Sequence, residues 1–120
     1  MGLSRMNSKN KRHLKYHQIP HHVRDTIDRL IHALNDHNIP VQRAILFGSY
    51  ANGNYNKWSD IDLAIVSDVF VGNRMDDKDK IRLIKLSISS DLEVLSYRPE
   101  DFTADDPFVK EILETGIPVL

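Results

Sequence analysis

The chain has 120 residues, one domain's worth at the usual ~100–150 residues and too few for a catalytic domain plus a separate substrate domain. Sixteen Lys and Arg stand against seventeen Asp and Glu, a net charge of −1 that makes no electrostatic case for nucleic-acid binding by the whole chain. With 41% hydrophobic and 28% charged residues and no cysteine, the composition excludes wholesale disorder, a disulfide scaffold and a thiolate zinc site.

Charge is unevenly spread. Arg5, Lys9, Lys11, Arg12, Lys15 and Arg24 precede the first acid, Asp25, so all seventeen acids fall in the remainder. His13, His17, His21 and His22 share this basic stretch. Residues 1–20 are therefore read as a basic, flexible leader and 21–120 as the folded domain. The leader could serve as a nucleic-acid or acidic-partner arm, but a solvated terminus is the plainer account. Scattered histidines without a rigid frame seldom make a specific metal site. Met1-Gly2-Leu3-Ser4-Arg5 lacks the apolar stretch of a signal peptide. Apolar runs elsewhere fall far short of the ~18–20 residues of a membrane span. The expectation is a cytoplasmic protein that meets neither membrane nor nucleic acid.

The first predicted helix carries Val23, Ile27, Leu30/Ile31 and Leu34 at helical spacing, with Pro20 in its first turn and Asn38-Ile39-Pro40 ending it. Arg43–Phe47 reads as a short buried strand stopped by Gly48. Gly48 to Ser59 reads as a turn with a brief helix, and Ile61–Val66 as a second strand. A loop over 67–73 leads to a helix expected from Asp76 to Leu86, with Ile81, Ile84 and Leu86 apolar. Asp91–Tyr97 is a third predicted strand. A last helix opens at Asp106-Pro107, pairs Phe108/Ile112 and Val109/Leu113, and stops at Gly116.

Two segments carry chemistry. Gly48-Ser49 turns from a strand into a helix, leaving backbone N–H groups free for an anion; as a dipeptide it is common in ordinary turns. Asp60 and Asp62 lie two apart at a strand start, so both carboxylates share one face at roughly 6–7 Å along the chain. Held side by side they repel unless a cation lies between, and Mg2+ is a hard ion suited to carboxylates. An exposed strand edge guarded by acids would give the same pattern. Asp91-Leu92-Glu93 repeats acid-apolar-acid on another strand. One of its acids beside the aspartates would complete a three-carboxylate site for two metal ions. Ser59 could orient Asp60, and Trp58 reads as a loop aromatic packed over the sheet edge.

Gly48-Ser49, ten residues, then Asp60-Ile61-Asp62-Leu63 resembles the signature of the DNA polymerase β-like nucleotidyltransferase superfamily. The likeness is to its minimal, single-domain members, which include the antitoxin partners of HEPN–MNT toxin–antitoxin pairs. It continues through Glu93, Arg98-Pro99-Glu100-Asp101-Phe102 and Pro107 to Ile112, and so covers about residues 23–120. The resemblance implies a single-domain α/β nucleotidyltransferase fold, a mixed β-sheet flanked by helices, with ATP or another nucleoside triphosphate as substrate and two Mg2+ ions. Asp60, Asp62 and Glu93 would be the catalytic metal ligands, and Gly48, Ser49 and Ser59 the nucleotide-binding residues. It also implies transfer of AMP to a hydroxyl, a tyrosine of a helical HEPN-type partner. Many relatives carry Arg where this chain has Asn52, and Asp91 stands as a rival to Glu93. A non-catalytic subunit that masks its partner is the alternative reading.

Overall fold

The computed structural model describes residues 15–120; the leader's His13 and its first four cations lie outside the described residues. A 3-10 turn at Tyr16–Gln18 leads into helix α1, His21–Asp36, then strand β1, Arg43–Phe47, and the short helix α2, Ser49–Asn52. Strand β2, Ile61–Val66, is followed by helix α3, Arg74–Ile88, and strand β3, Leu92–Tyr97. A 3-10 turn at Pro99–Asp101, helix α4, Pro107–Thr115, and the two-residue strand β4, Ile117–Pro118, complete the order.

The four strands form one mixed sheet in the order β3-β2-β1-β4. β1 runs antiparallel to both β2 and β4, whereas β2 and β3 are parallel. A parallel neighbour needs a crossover, and α3 supplies it. The sheet is covered on both faces, which is why its strands read as nearly continuous apolar runs. Leu46, Ile61, Leu63, Ile65 and Leu92 pack on one face with α1 and Ile81 of α3. Ile45, Ala64, Val66 and Tyr97 pack on the other with Phe102 and with Val109 and Ile112 of α4.

Local chemistry sets the helix ends. α1 buries Val23, Ile27, Leu30, Ile31 and Leu34, the stripe expected of its periodicity. α3 starts two residues before the predicted Asp76, because the Asn73 side chain accepts hydrogen bonds from the N–H groups of Met75 and Asp76 at 3.0 and 3.2 Å. α4 is capped the same way by Asp106, which accepts from Phe108 and Val109 at 2.8 and 3.3 Å.

Several placements differ from the sequence reading. Ile19 is 1% exposed within the main core, so packing begins ahead of the 20/21 boundary. β3 opens at Leu92, with Asp91 in the turn before it. β4 was not anticipated; two residues hold no periodicity, and Pro118 is tolerated because β4 is an edge strand. Leu86, expected on the apolar face of its helix, is exposed. Trp58 is 81% exposed rather than packed on the sheet, with the Lys57 ammonium 5.0 Å from its ring centroid.

Candidate active site

The site lies where β1 ends and β2 and β3 begin. In the antiparallel register Phe47 pairs with Asp62, and in the parallel register Asp62 pairs with Glu93. Asp62 thus sits between the end of β1 and the acid of β3. Asp60, just before β2, is exposed beside it. Asp60, Asp62 and Glu93 all line a cleft of about 570 Å3.

The sequence step from strand to helix brings Gly48 against this cluster. Its φ of 76° and ψ of −151° lie in a region that side chains rarely enter. A Cβ added there would collide with Asp62 Oδ2. Beyond it, the N–H groups of Ala51 and Asn52 return to the Gly48 carbonyl at 3.0 and 3.1 Å. Those of Ser49 and Tyr50, in the first turn of α2, have no intrahelical acceptor. The tyrosine pair nearby is structural: Tyr50 and Tyr55 stack at 4.6 Å, and Tyr50 is buried.

Electrostatics mark Asp62 most strongly. Its carboxyl is pushed up from the ordinary 3.8 to about 6, first by burial and then by the negative charges of Asp60 and Glu93. No hydrogen bond or cationic partner among the described residues relieves it. Glu93 differs: its carboxylate is 3.9 Å from Lys85 Nζ, and its side chain is largely exposed. As they stand, no three His, Asp or Glu side chains among the described residues converge tightly enough to hold a metal ion. The donor set nonetheless suits a hard divalent cation: oxygen ligands only, one of them half-buried and electrostatically frustrated.

Asp91 does not share the cleft. Its carboxylate acts on Tyr50 instead, raising that phenol's pKa after burial has done so. Ser59 is also outside the cleft lining; its hydroxyl oxygen accepts the Asn56 N–H at 2.9 Å and closes the turn before Asp60. Asn52 accepts from Asn54 N–H at 3.0 Å within the loop. Arg98 and Asp101 form a two-bond ion pair at 2.7 and 3.0 Å, so that run builds a corner rather than a site.

Sequence reasoning missed one wall of the cleft. Lys78, Arg82 and Lys85 line it from α3. Their spacing of four and three puts them on one helical face, a signal present in the sequence but without meaning until the helix is oriented on the sheet.

A family model for a nucleotidyltransferase domain matches residues 27–118. A candidate protein adenylyltransferase of Methanocaldococcus jannaschii is 59% identical over 29 residues, which is 24% of this chain and 29% of that protein's length. Among solved structures, a toxin–antitoxin complex with AMP-PNP aligns with a TM-score of 0.55 and 22% identity, over 81% of this chain and 72% of that one. A candidate nucleotidyltransferase of Sulfolobus solfataricus aligns at 0.52 and 16% identity, over 80% and 83%. These two show a shared fold. With the family model spanning most of the folded chain and the strand-end carboxylates beside a glycine corner, the chain belongs to the nucleotidyltransferase domain family.

Proposed function

We propose that this protein is a Mg2+-dependent nucleotidyltransferase that moves AMP from ATP onto a hydroxyl of a separate acceptor. The observation that carries the reading is Asp62, raised to about 6 by burial and by Asp60 and Glu93. Lys85 pairs with Glu93, but no cation among the described residues pairs with Asp62, and a divalent cation would supply that charge. Bound Mg2+, two ions in the family pattern, would neutralise charge on the transferring phosphoryl group and fix the line of attack.

The chain's own residues have distinct parts. Asp60 and Asp62 would hold the ions from β2. Glu93 would either exchange Lys85 for an ion or accept the proton of the acceptor hydroxyl as that oxygen bonds to the α-phosphorus. The bond from the α-phosphorus to the bridging oxygen then breaks, and pyrophosphate leaves. Gly48 and Ser49 would hold the β- and γ-phosphates, since an absent side chain lets them approach the main chain. Ser59 contributes by bracing the turn that delivers Asp60.

ATP as donor draws on the Methanocaldococcus relative and on the AMP-PNP complex. The acceptor we favour is a tyrosine of a helical HEPN-type toxin, which would make this protein a cytoplasmic antitoxin.

The test is incubation with α-labelled ATP, MgCl2 and a HEPN-type protein encoded beside it. Label is expected on a partner tyrosine and is lost with EDTA or in Asp60→Asn/Asp62→Asn. Absence of label with every nucleoside triphosphate overturns the reading. If the double variant still neutralises the partner as well as the original, the protein acts by masking.

A further inference from the structure

Among the described residues β3 is an edge of the sheet. The carbonyls of Asp91 and Tyr97 accept from Ile61 and Ser67 of the β2 side at 2.8 and 3.1 Å. Backbone alternation therefore turns the N–H and C=O groups of Val94 and Ser96 outward. Edges of this kind are usually blunted. Here the edge borders a groove instead. The cleft of about 570 Å3 continues into a second hollow of about 240 Å3, and the two share Lys78, Val94 and Leu95. The groove runs from Glu93 to Ser96.

Its other wall is cationic. Of Lys78, Arg82 and Lys85, only Lys85 has an ion pair among the described residues, and that is with Glu93 in the same cleft. Lys78 and Arg82 have no carboxylate partner there. Met75, lining the second hollow, and Leu86, lining the first, are 73% and 51% exposed and add apolar surface. The Gly48 corner follows β1, on the far side of β2 from β3, so a nucleotide tail held there lies away from the Val94–Ser96 edge.

The geometry points to a docking groove for an extended, acidic segment of the acceptor protein. That segment adds to β3 as an extra strand, sets its acidic side chains against Lys78 and Arg82, and presents its hydroxyl at Glu93. The inference rests on the proposed transfer for the last point only. Main-chain bonds to Val94 and Ser96 give affinity, and the cations give selectivity. A nucleic-acid acceptor fits less well: among the described residues Phe47 is the sole aromatic lining the groove for base stacking.

The test uses the full chain and a fluorescein-labelled decapeptide with glutamates flanking a tyrosine. A Lys-for-Glu peptide and a single-stranded oligonucleotide are the comparison probes. The acidic peptide is expected to bind alone, to weaken with salt, and to weaken about tenfold in Lys78→Glu/Arg82→Glu. Ser96→Pro, which removes an outward N–H without changing charge, is expected to weaken it several-fold. Amide resonances of Val94 and Ser96 should shift on binding. Circular dichroism checks that each variant is folded, and Lys78→Gln/Arg82→Gln gives a milder series of the same sign. No binding of the acidic peptide, equal binding of the basic one, tighter binding of the oligonucleotide, or dimerisation through β3 that excludes peptide would each overturn the proposal. The two readings fail separately. Peptide bound normally by Asp60→Asn/Asp62→Asn supports docking whatever becomes of transfer. Transfer to a protein acceptor undiminished in Lys78→Glu/Arg82→Glu sinks docking alone.

Discussion

Gly48 and Asp62 occupy each other's space: the main chain of the first lies where a side chain would meet the carboxylate of the second. The glycine corner and the acid of β2 are thus one unit, joined through the Phe47–Asp62 register. In the proposed transfer, a phosphate at the corner would come next to the carboxylates, and a cation between them would make the two compatible.

Gly48→Ala tests that unit. The substitution forces a positive φ on alanine, at about 1–2 kcal/mol, and pushes Asp62 aside. Urea unfolding should show a loss of at least that size. Transfer activity should fall further than stability does, by about a hundredfold, because a displacement of ~1 Å at a reacting centre is that costly.

The raised carboxyl of Asp62 sets a pH dependence. An unfolded Asp62 titrates near 3.8 and the folded one near 6. The folded state therefore holds its proton more tightly, and this contribution to stability is full below about 3.8 and lost as pH rises through 6. Asp62→Asn should raise the melting temperature of the metal-free protein above pH 6 and change it little near pH 4. Added MgCl2 should raise the melting temperature of the original protein at pH 7.5, but much less at pH 5, where the proton competes. Parallel thermal melts across pH measure both effects.

Asp77 is a structural acid. It is 1% exposed, accepts the N–H groups of Val71 and Gly72 at 2.9 Å each, and has Lys80 Nζ 3.7 Å away. Asp77→Ala leaves two loop donors without a partner and should cost about 2–3 kcal/mol. Hydrogen exchange should rise first at Val71 and Gly72, ahead of the sheet.

The core makes an internal control. Leu63 is 0% exposed at the centre of β2, so Leu63→Ala should cost about 2–5 kcal/mol. Leu83 is 77% exposed, and Leu83→Ala should change stability by no more than about 0.5 kcal/mol. Denaturant midpoints with unchanged slopes would confirm the contrast.

Much of the scaffold was legible because its signals are local. The 3.6-residue stripe from Val23 to Leu34, the runs Arg43–Phe47 and Ile61–Val66, and the cap formed by Asp106 with Pro107 each depend on neighbours in sequence. So does the spacing of Asp60 and Asp62, which places two acids on one face whatever surrounds them.

What tertiary structure decided was who meets whom. Glu93 rather than Asp91 stands beside Asp62 because the α3 crossover sets β3 parallel to β2 in one register, and no local pattern encodes that choice. The rotation of α3 on the sheet turned Lys78, Arg82 and Lys85 into a wall of the cleft and left Leu86 exposed there. Ile19 joined the core and Ile117–Pro118 joined the sheet through contacts with residues far along the chain. Periodicity fixes which face of an element is apolar; packing alone fixes which other element that face, and its acids, will touch.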